Sequence, residues 1–385
     1  VYGGVVLISG KILGYTQEQF HMLWILVLNQ FLASFILYFR TNISGLQLYR
    51  TDSILSVMDR SLMILFTGLL LWGNVSSKPF QIEWFVYAQT LSYSITLITV
   101  AIIVRLRSGS FLSHLSFASS LKVIRSSYPF ALLILLMALF NRVDSVMLER
   151  MLPSGREEAG IYAQSFRIFE AATQFSLLFA MLLLPMFSRM IKQKENVNGL
   201  IRVALPLLMV TGLSMACIAF YYNFEIMDLL YTSHAPYSSG IFSILMISFV
   251  FVSVSYLYGT LLTANHSLRQ LNLAAALTVM INIALNLILI PRQHALGAAI
   301  ASLVSQGFYA LVQMFLSIKL LKLPANKDIL IKLAVFLAMN MLTGYFSLWI
   351  PGWIPGLLLL ALSCAGSAVL LGLLRPSELR RILNT

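Results

Sequence analysis

The chain has 385 residues, of which only 10% are charged and 59% are hydrophobic. A soluble domain typically carries about 25% charged residues, so this composition excludes an ordinary soluble globule. The net charge of +12 does not indicate a nucleic-acid-binding protein, because the basic residues stand singly between long apolar runs.

Eleven mostly apolar segments predict membrane-spanning helices, which need about 20 residues each. In chain order the predicted spans are Phe20–Phe39, Ile54–Trp72, Trp84–Val104, Pro129–Leu148, Ile161–Phe187, Val203–Tyr222, Ile241–Leu262, Leu271–Ile290, Leu296–Leu320, Ile329–Leu348 and Ile354–Leu374. The apolar stub Val1–Gly10 is too short to span a membrane. Together with the absence of an initiator Met, it indicates a chain that lacks its N-terminal helices.

The basic residues predict how these spans are oriented. Nineteen of the 26 Lys and Arg lie in alternate loops and helix ends on one side, and five lie on the other. Cytoplasmic loops of membrane proteins are enriched in Lys and Arg, so this bias predicts a cytoplasmic C-terminus. The positive surplus is therefore explained by topology, and no nucleic-acid partner is expected.

The longest connection, residues 105–128, has apolar residues at helical spacing between serines and basic residues. This pattern predicts an amphipathic helix at the cytoplasmic surface, and a plain solvated loop is the alternative.

Sequence motifs for enzymatic or metal chemistry are missing. The five histidines are scattered, no Walker loop is present, and Cys217 and Cys364 lie singly in apolar stretches. We therefore predict no enzyme, no metal site and no cofactor. Asn282 and Asn286, four residues apart on one predicted helix, indicate interhelical hydrogen bonds more than a ligand site.

Ionisable residues inside two adjacent predicted spans are the strongest functional signal. Arg142 and Asp144 lie near the outer end of one span, and Arg167 and Glu170 lie at a similar depth in the next, roughly 6–14 Å below the outer boundary. Gln174 shares a helix face with Arg167 and Glu170.

Charged groups at membrane depth face a cavity or one another, because exposure to lipid is costly. One interpretation is a substrate cavity in which Arg142 and Arg167 hold an anionic ligand. Asp144 and Glu170 would then orient the arginines or bind a coupling proton or sodium ion. The other interpretation is structural, with two ion pairs, Arg142–Glu170 and Asp144–Arg167, fixing the helix hairpin.

Three sequence runs resemble a known transporter superfamily. INIALNLILIPRQHALGAAIASLVSQ resembles the multidrug/oligosaccharidyl-lipid/polysaccharide exporters, in which an Asn-rich helix ends in Ile-Pro before a Gly-Ala-Ala-x-Ala helix. NRVDSVMLERMLPSGREEAGIYAQSFRIFEA and FRTNISGLQLYRTDSILSVMDR are similar to the polysaccharide (O-antigen) flippase branch. His294 departs from the pattern, since relatives often carry Gly in that turn.

The resemblance implies an all-α, polytopic membrane protein with two pseudo-symmetric helical lobes and two extra C-terminal helices. On that template, residues 1–104 are the remainder of the first lobe, 105–128 an interlobe linker, and 129–320 the second lobe. Residues 321–385 are the two additional helices and a cytoplasmic tail.

The resemblance also implies a function: flipping a polyprenyl-pyrophosphate-linked oligosaccharide from the inner to the outer leaflet of the bacterial inner membrane by alternating access. This assigns the chain to lipopolysaccharide or other polysaccharide biosynthesis, with membrane lipids and other polysaccharide-assembly membrane proteins as partners. Coupling to a proton, a sodium ion or the membrane potential stays open.

Two other functions compete with the flippase. A cation-coupled multidrug antiporter of the same superfamily predicts that acidic residues dominate the cavity. A membrane polysaccharide polymerase or ligase predicts a long outer loop with Arg and His, whereas the longest outer connection, about residues 223–240, contains no Lys or Arg.

Overall fold

The computed structural model of the protein describes residues 16–45, 48–73, 81–108, 117–324 and 327–374. These ranges contain helices and no strand. The helices are α1 (Gln17–Gly45), α2 (Tyr49–Trp72), α3 (Ile82–Ser108), α4 (Phe117–Met151), α5 (Gly155–Lys192), α6 (Asn198–Tyr221), α7 (Asn223–Leu230), α8 (Ala235–Ala264), α9 (Leu268–Leu321), α10 (Lys327–Ser347) and α11 (Trp353–Leu370). The stub Val1–Gly10 and the basic tail after residue 374 lie outside the described residues.

Within the described ranges, ten helices are long and apolar enough to cross a membrane, and α7 is the exception. The eleven predicted spans correspond to these ten helices, because α9, with 54 residues, contains two of the spans. Its helical geometry breaks at His294 (φ 54°, ψ −132°), shortly after Pro291. Non-glycine residues rarely adopt this backbone conformation, so the kink is a strained point in the helix.

The predicted linker differs from the structure over its described part. The helix α4 begins at Phe117 and continues without interruption to Met151, with Pro129 inside it. Residues 117–128 are therefore continuous with the helix that contains the candidate span Arg125–Met151, while residues 109–116 lie outside the described ranges. The chain divides into two compact units, Val1–Ser120 and Leu121–Thr385.

In the first unit, α3 packs against both α1 and α2. The buried apolar residues of this packing are Ile43, Leu55, Val100 and Val104. The buried Asn29 donates from Nδ2 to Gln89 Oε1 at 3.3 Å, which joins α1 to α3. Arg40 Nε lies 2.8 Å from Asp52 Oδ1 and joins the end of α1 to the start of α2.

The second unit is built around α8, which packs against α5, α6, α7 and α9. Two apolar clusters follow its length. One surrounds Phe249 toward the end where α8 begins, and the other surrounds Leu257 and Leu261 toward the end where α8 stops. These clusters hold α5, α8 and α9 in fixed positions, and the candidate site described below lies on those helices together with α4.

The last two helices both pack against α6, and two consecutive tyrosines at its end bind α10. Tyr221 donates from its hydroxyl to the Met341 carbonyl at 2.7 Å, and Tyr222 donates to Ser347 Oγ at 2.6 Å. Gly344 permits this contact, because a Cβ atom there would overlap the Tyr221 ring. The helices α10 and α11 are therefore an integral part of the second unit.

Candidate functional site

The five predicted site residues occupy two helices of the second unit, α4 and α5. Arg142 and Glu170 form one of the two proposed ion pairs, with 3.5 Å between Nη2 and Oε1. This pair lies on the surface of the unit, since the two side chains are 69% and 47% exposed. Salt bridges of this exposure contribute little to stability when they face water.

Asp144 lies in a different environment, although it is only two residues from Arg142. Its side chain is buried and accepts hydrogen bonds from the Tyr162 hydroxyl at 3.0 Å and from Asn286 Nδ2 at 2.6 Å. Asn286 Nδ2 also donates to Asn282 Oδ1 at 3.2 Å, and the Ser302 hydroxyl belongs to the same cluster. The cluster therefore joins α4, α5 and both segments of the kinked α9.

The second proposed ion pair, Asp144–Arg167, is not formed in the described part of the structure. The carboxylate of Asp144 takes its hydrogen bonds from neutral groups, while Arg167 is exposed and has no ion-pair or hydrogen-bond partner among the described residues. Gln174, one turn beyond Glu170, is exposed as well. The helix geometry explains the separation, because Arg167 and Tyr162 lie on different faces of α5.

A cavity of about 400 Å³ lies within the second unit, between α4, α5, α8 and α9. This volume is in the range of small-molecule sites, about 300–1,000 Å³. The polar groups that line it include Glu170, Ser255, Thr260, Thr263, Gln306 and Gln313. Of the five predicted site residues, only Glu170 lines the cavity, and no Lys or Arg is among the described residues around it.

The sequence pattern indicates part of this arrangement. The spacing of Asn282 and Asn286 predicts interhelical hydrogen bonds, and the bond from Asn286 to Asp144 confirms this. The cavity glutamines Gln306 and Gln313 have no comparable sequence signal. They stand singly in an apolar helix, and a spacing of seven residues on one face is the only pattern that connects them.

Another carboxylate, which is partly buried, lies at the kink of α9. Glu158, at the start of α5, accepts from the Ala295 backbone N–H at 3.1 Å and from the Tyr237 hydroxyl at 3.2 Å. Its other oxygen is 3.1 Å from His294 Nδ1. Glu158 therefore supplies a remote cap to the second segment of α9 and holds the strained residue His294 in position.

Comparisons with known proteins identify the fold. No family model and no curated protein matches the chain. Among solved structures, the lipid II flippase MurJ in an inward closed conformation superposes with a TM-score of 0.73 at 12% identity, covering 100% of this chain and 82% of that one. A mutant of the Vibrio cholerae MATE transporter VcmN gives a TM-score of 0.64 at 17% identity, covering 83% of this chain and 75% of VcmN.

VcmN in its bent form gives a TM-score of 0.58, again at 17% identity. The flippase and the MATE transporter both belong to the superfamily that the sequence motifs resemble. At these identities the comparison establishes the fold: the predicted class, an all-α polytopic membrane protein of the multidrug-exporter type, is confirmed. The solved structures that share this fold are a flippase and transporters.

Proposed function

We propose that this protein moves a lipid-linked oligosaccharide, carried on a polyprenyl diphosphate, from the inner to the outer leaflet of a bacterial inner membrane. Alternating access is the expected mechanism. The fold supports a transporter, and one structure that shares it is a flippase for a lipid-linked substrate, lipid II. The motifs of the O-antigen branch favour a role in polysaccharide or lipopolysaccharide assembly, with the C-terminus in the cytoplasm.

The placement of Arg142 and Arg167 is the observation that carries this proposal. Both side chains are exposed on the second unit, although both lie within spanning helices. A charge facing lipid at the centre of a membrane costs about 2.5–3.5 kcal/mol on insertion scales. The two arginines are therefore expected to face an aqueous path, where guanidinium groups suit the oxygens of a diphosphate.

Asp144 is the candidate for ion coupling. A buried carboxylate that receives hydrogen bonds from neutral groups alone lacks the positive charge that burial of an anion requires. A proton or a sodium ion would provide that charge. The residues fit an oxygen-liganded cation, because the Asn286 Oδ1 atom is buried without a hydrogen-bond partner beside the carboxylate.

A cation-coupled multidrug antiporter is the second candidate. It is favoured by the cavity itself, where Glu170 is the one charged residue among the described lining residues. An organic cation would suit such a lining, whereas the arginines on the surface of the unit favour an anionic substrate. The flippase therefore needs Arg167 to bind its anionic substrate, whereas the antiporter does not need it.

Single replacement of each arginine tests the flippase proposal. Arg142→Gln and Arg167→Gln are expected to reduce the lipid-linked oligosaccharide in the outer leaflet at normal protein abundance, measured by a sidedness assay in cells. Arg150→Gln, at the exposed end of α4, is the matched control and is expected to retain export. Normal export by both variants would remove the arginines from the site, and lost abundance together with lost export would favour the structural interpretation.

Ion coupling has a separate readout that does not require the substrate. If Asp144 binds sodium, the purified protein is expected to unfold at a higher temperature in sodium chloride than in choline chloride, because a ligand of the native state stabilises it. Asp144→Asn is expected to remove this difference. An equal sodium effect in the variant would place the ion elsewhere, and no sodium effect in either protein would leave a proton or the membrane potential as the source of coupling.

A further inference from the structure

The cavity of the second unit has a lining poorly suited to a diphosphate. Glu170 is its one charged residue among the described lining residues, and its ion-pair partner Arg142, 3.5 Å away, does not itself line the cavity. Diphosphate oxygens are acceptors that carry negative charge, so cationic donors bind them most strongly, whereas the amide donors of this lining, Asn141, Gln306 and Gln313, are neutral. The two arginines proposed to bind phosphate do not line the cavity.

The threonines of the cavity mainly offer hydrogen-bond acceptors. Thr260 donates its hydroxyl proton to the Tyr256 carbonyl at 2.6 Å, and Thr263 donates to the Gly259 carbonyl at 2.8 Å. Thr278 on α9 makes the same type of bond to Ala274 at 2.8 Å. Because each proton is committed to the helix backbone, the oxygen lone pairs are left for groups that donate hydrogen bonds.

Two further oxygens at the cavity have no partner in the described structure. Gln313 is 2% exposed and its Oε1 atom is buried without a hydrogen bond. The Oγ atom of Ser255, a partly buried residue, is also buried without one. Gly259 leaves room for the Gln313 amide, since a Cβ atom there would lie 3.1 Å from Nε2. Buried polar groups are normally satisfied, so the Gln313 Oε1 atom indicates a ligand or water that donates to it, and the Ser255 hydroxyl indicates a partner that donates or accepts.

We infer that this cavity binds the saccharide portion of the substrate, separately from the diphosphate at Arg142 and Arg167. A sugar carries many hydroxyl donors and no charge, which matches acceptor oxygens in a lining without Lys or Arg. Tyr256 and Tyr309 add aromatic surface next to those oxygens. This inference rests on the proposed function and names the part of the substrate that the cavity recognises.

Amphiphiles that differ only in the head group can test this assignment. A reporter cysteine is introduced at Leu177, an apolar lining residue, in the full chain reconstituted in lipid nanodiscs. The native Cys217 and Cys364 are buried and should react slowly with a maleimide. Octyl glucoside, octyl phosphate and octyltrimethylammonium are then compared for protection of the reporter, with Ser188→Cys, outside the cavity on the same helix, as the control.

Octyl glucoside is expected to slow alkylation at Leu177→Cys and not at Ser188→Cys, while octyl phosphate has no effect at either position. Adding Gln313→Leu, which keeps the side-chain size, is expected to weaken this protection about 2- to 10-fold in apparent affinity. Adding Arg167→Gln should leave it unchanged. Equal or stronger protection by octyl phosphate, no protection by the glucoside, or no effect of Gln313→Leu would overturn the inference.

Strongest protection by octyltrimethylammonium would also overturn it, and would favour the antiporter.

The cellular assay distinguishes failure of this inference from failure of the proposed function. If the glucoside does not protect while export still depends on Arg142 and Arg167, the cavity assignment fails and the flippase stands. If the glucoside protects while export is independent of this protein, the flippase proposal fails.

Discussion

Arg142 and Asp144 are two residues apart on α4 and have opposite environments. Two residues correspond to about 200° around a helix axis, so their side chains lie on nearly opposite faces. Arg142 reaches the surface, where it pairs loosely with Glu170. Asp144 is buried and bonded to Tyr162 and Asn286.

This difference separates two roles that a charged residue can have inside a membrane protein. An exposed, loosely paired arginine can exchange its partner for a ligand at little cost in stability. A buried carboxylate surrounded by neutral donors is expensive to disturb, because its partners lose their acceptor. We therefore expect replacements at Asp144 to affect folding as well as ion coupling, and replacements at Arg142 to affect transport without affecting folding.

The largest effect is expected at the buried carboxylate. Asp144→Ala leaves the Tyr162 hydroxyl and the Asn286 amide without their acceptor, which should lower the free energy of unfolding by about 2–5 kcal/mol. Asp144→Asn keeps the shape and one acceptor oxygen, so its loss should be smaller. Chemical unfolding of the purified proteins measures both. Unchanged stability of the alanine variant would show that the cluster is held by packing alone.

Glu158 extends the comparison to a second carboxylate, 13% exposed and bonded at the kink of α9. Glu158→Ala should lower the free energy of unfolding by about 1–3 kcal/mol, because the Ala295 N–H and the Tyr237 hydroxyl lose their acceptor. Glu157→Ala, whose side chain is 62% exposed, is the neighbouring control and should have little effect. Equal stability of the two variants would contradict the role of Glu158 in capping the second segment of α9 and holding His294 in position.

The smallest effect is expected for the exposed pair. A double-mutant cycle with Arg142→Gln and Glu170→Gln should give a coupling energy of about 0.2–1 kcal/mol in unfolding measurements, the range for exposed salt bridges. The same variants should differ strongly from wild type in export. A coupling energy of several kcal/mol would instead indicate that the pair has a structural role and stabilises the folded protein.

Hydropathy predicts the spanning helices well, because membrane depth sets their length and leaves few alternatives. The kink of α9 was partly predictable, since Pro291 and His294 stand where two predicted spans meet. The short helix α7 gives no such signal, because eight residues are too few to cross a membrane. The first turns of α4 were predicted as a separate helix, since amphipathic spacing alone does not show whether two helical segments are continuous.

The candidate site was less predictable from the sequence. The depth of Arg142, Asp144, Arg167 and Glu170 in adjacent spans is visible in the sequence, but the choice of partners depends on helix rotation. Asp144 accepts a hydrogen bond from Asn286, which is 142 positions away in the sequence, and the predicted ion pair with Arg167 is not formed. Uncharged cavity groups such as Gln313 become recognisable only when the packing of four helices brings them to one cavity.

The most direct test of the proposed function is the sidedness of lipid-linked oligosaccharides in cells in which the gene encoding this protein has been deleted. The proposal predicts that the precursors accumulate in the inner leaflet and that the wild-type gene restores their export, whereas an Arg167→Gln gene expressed at the same level does not. Normal appearance of the precursors in the outer leaflet without the protein would contradict it.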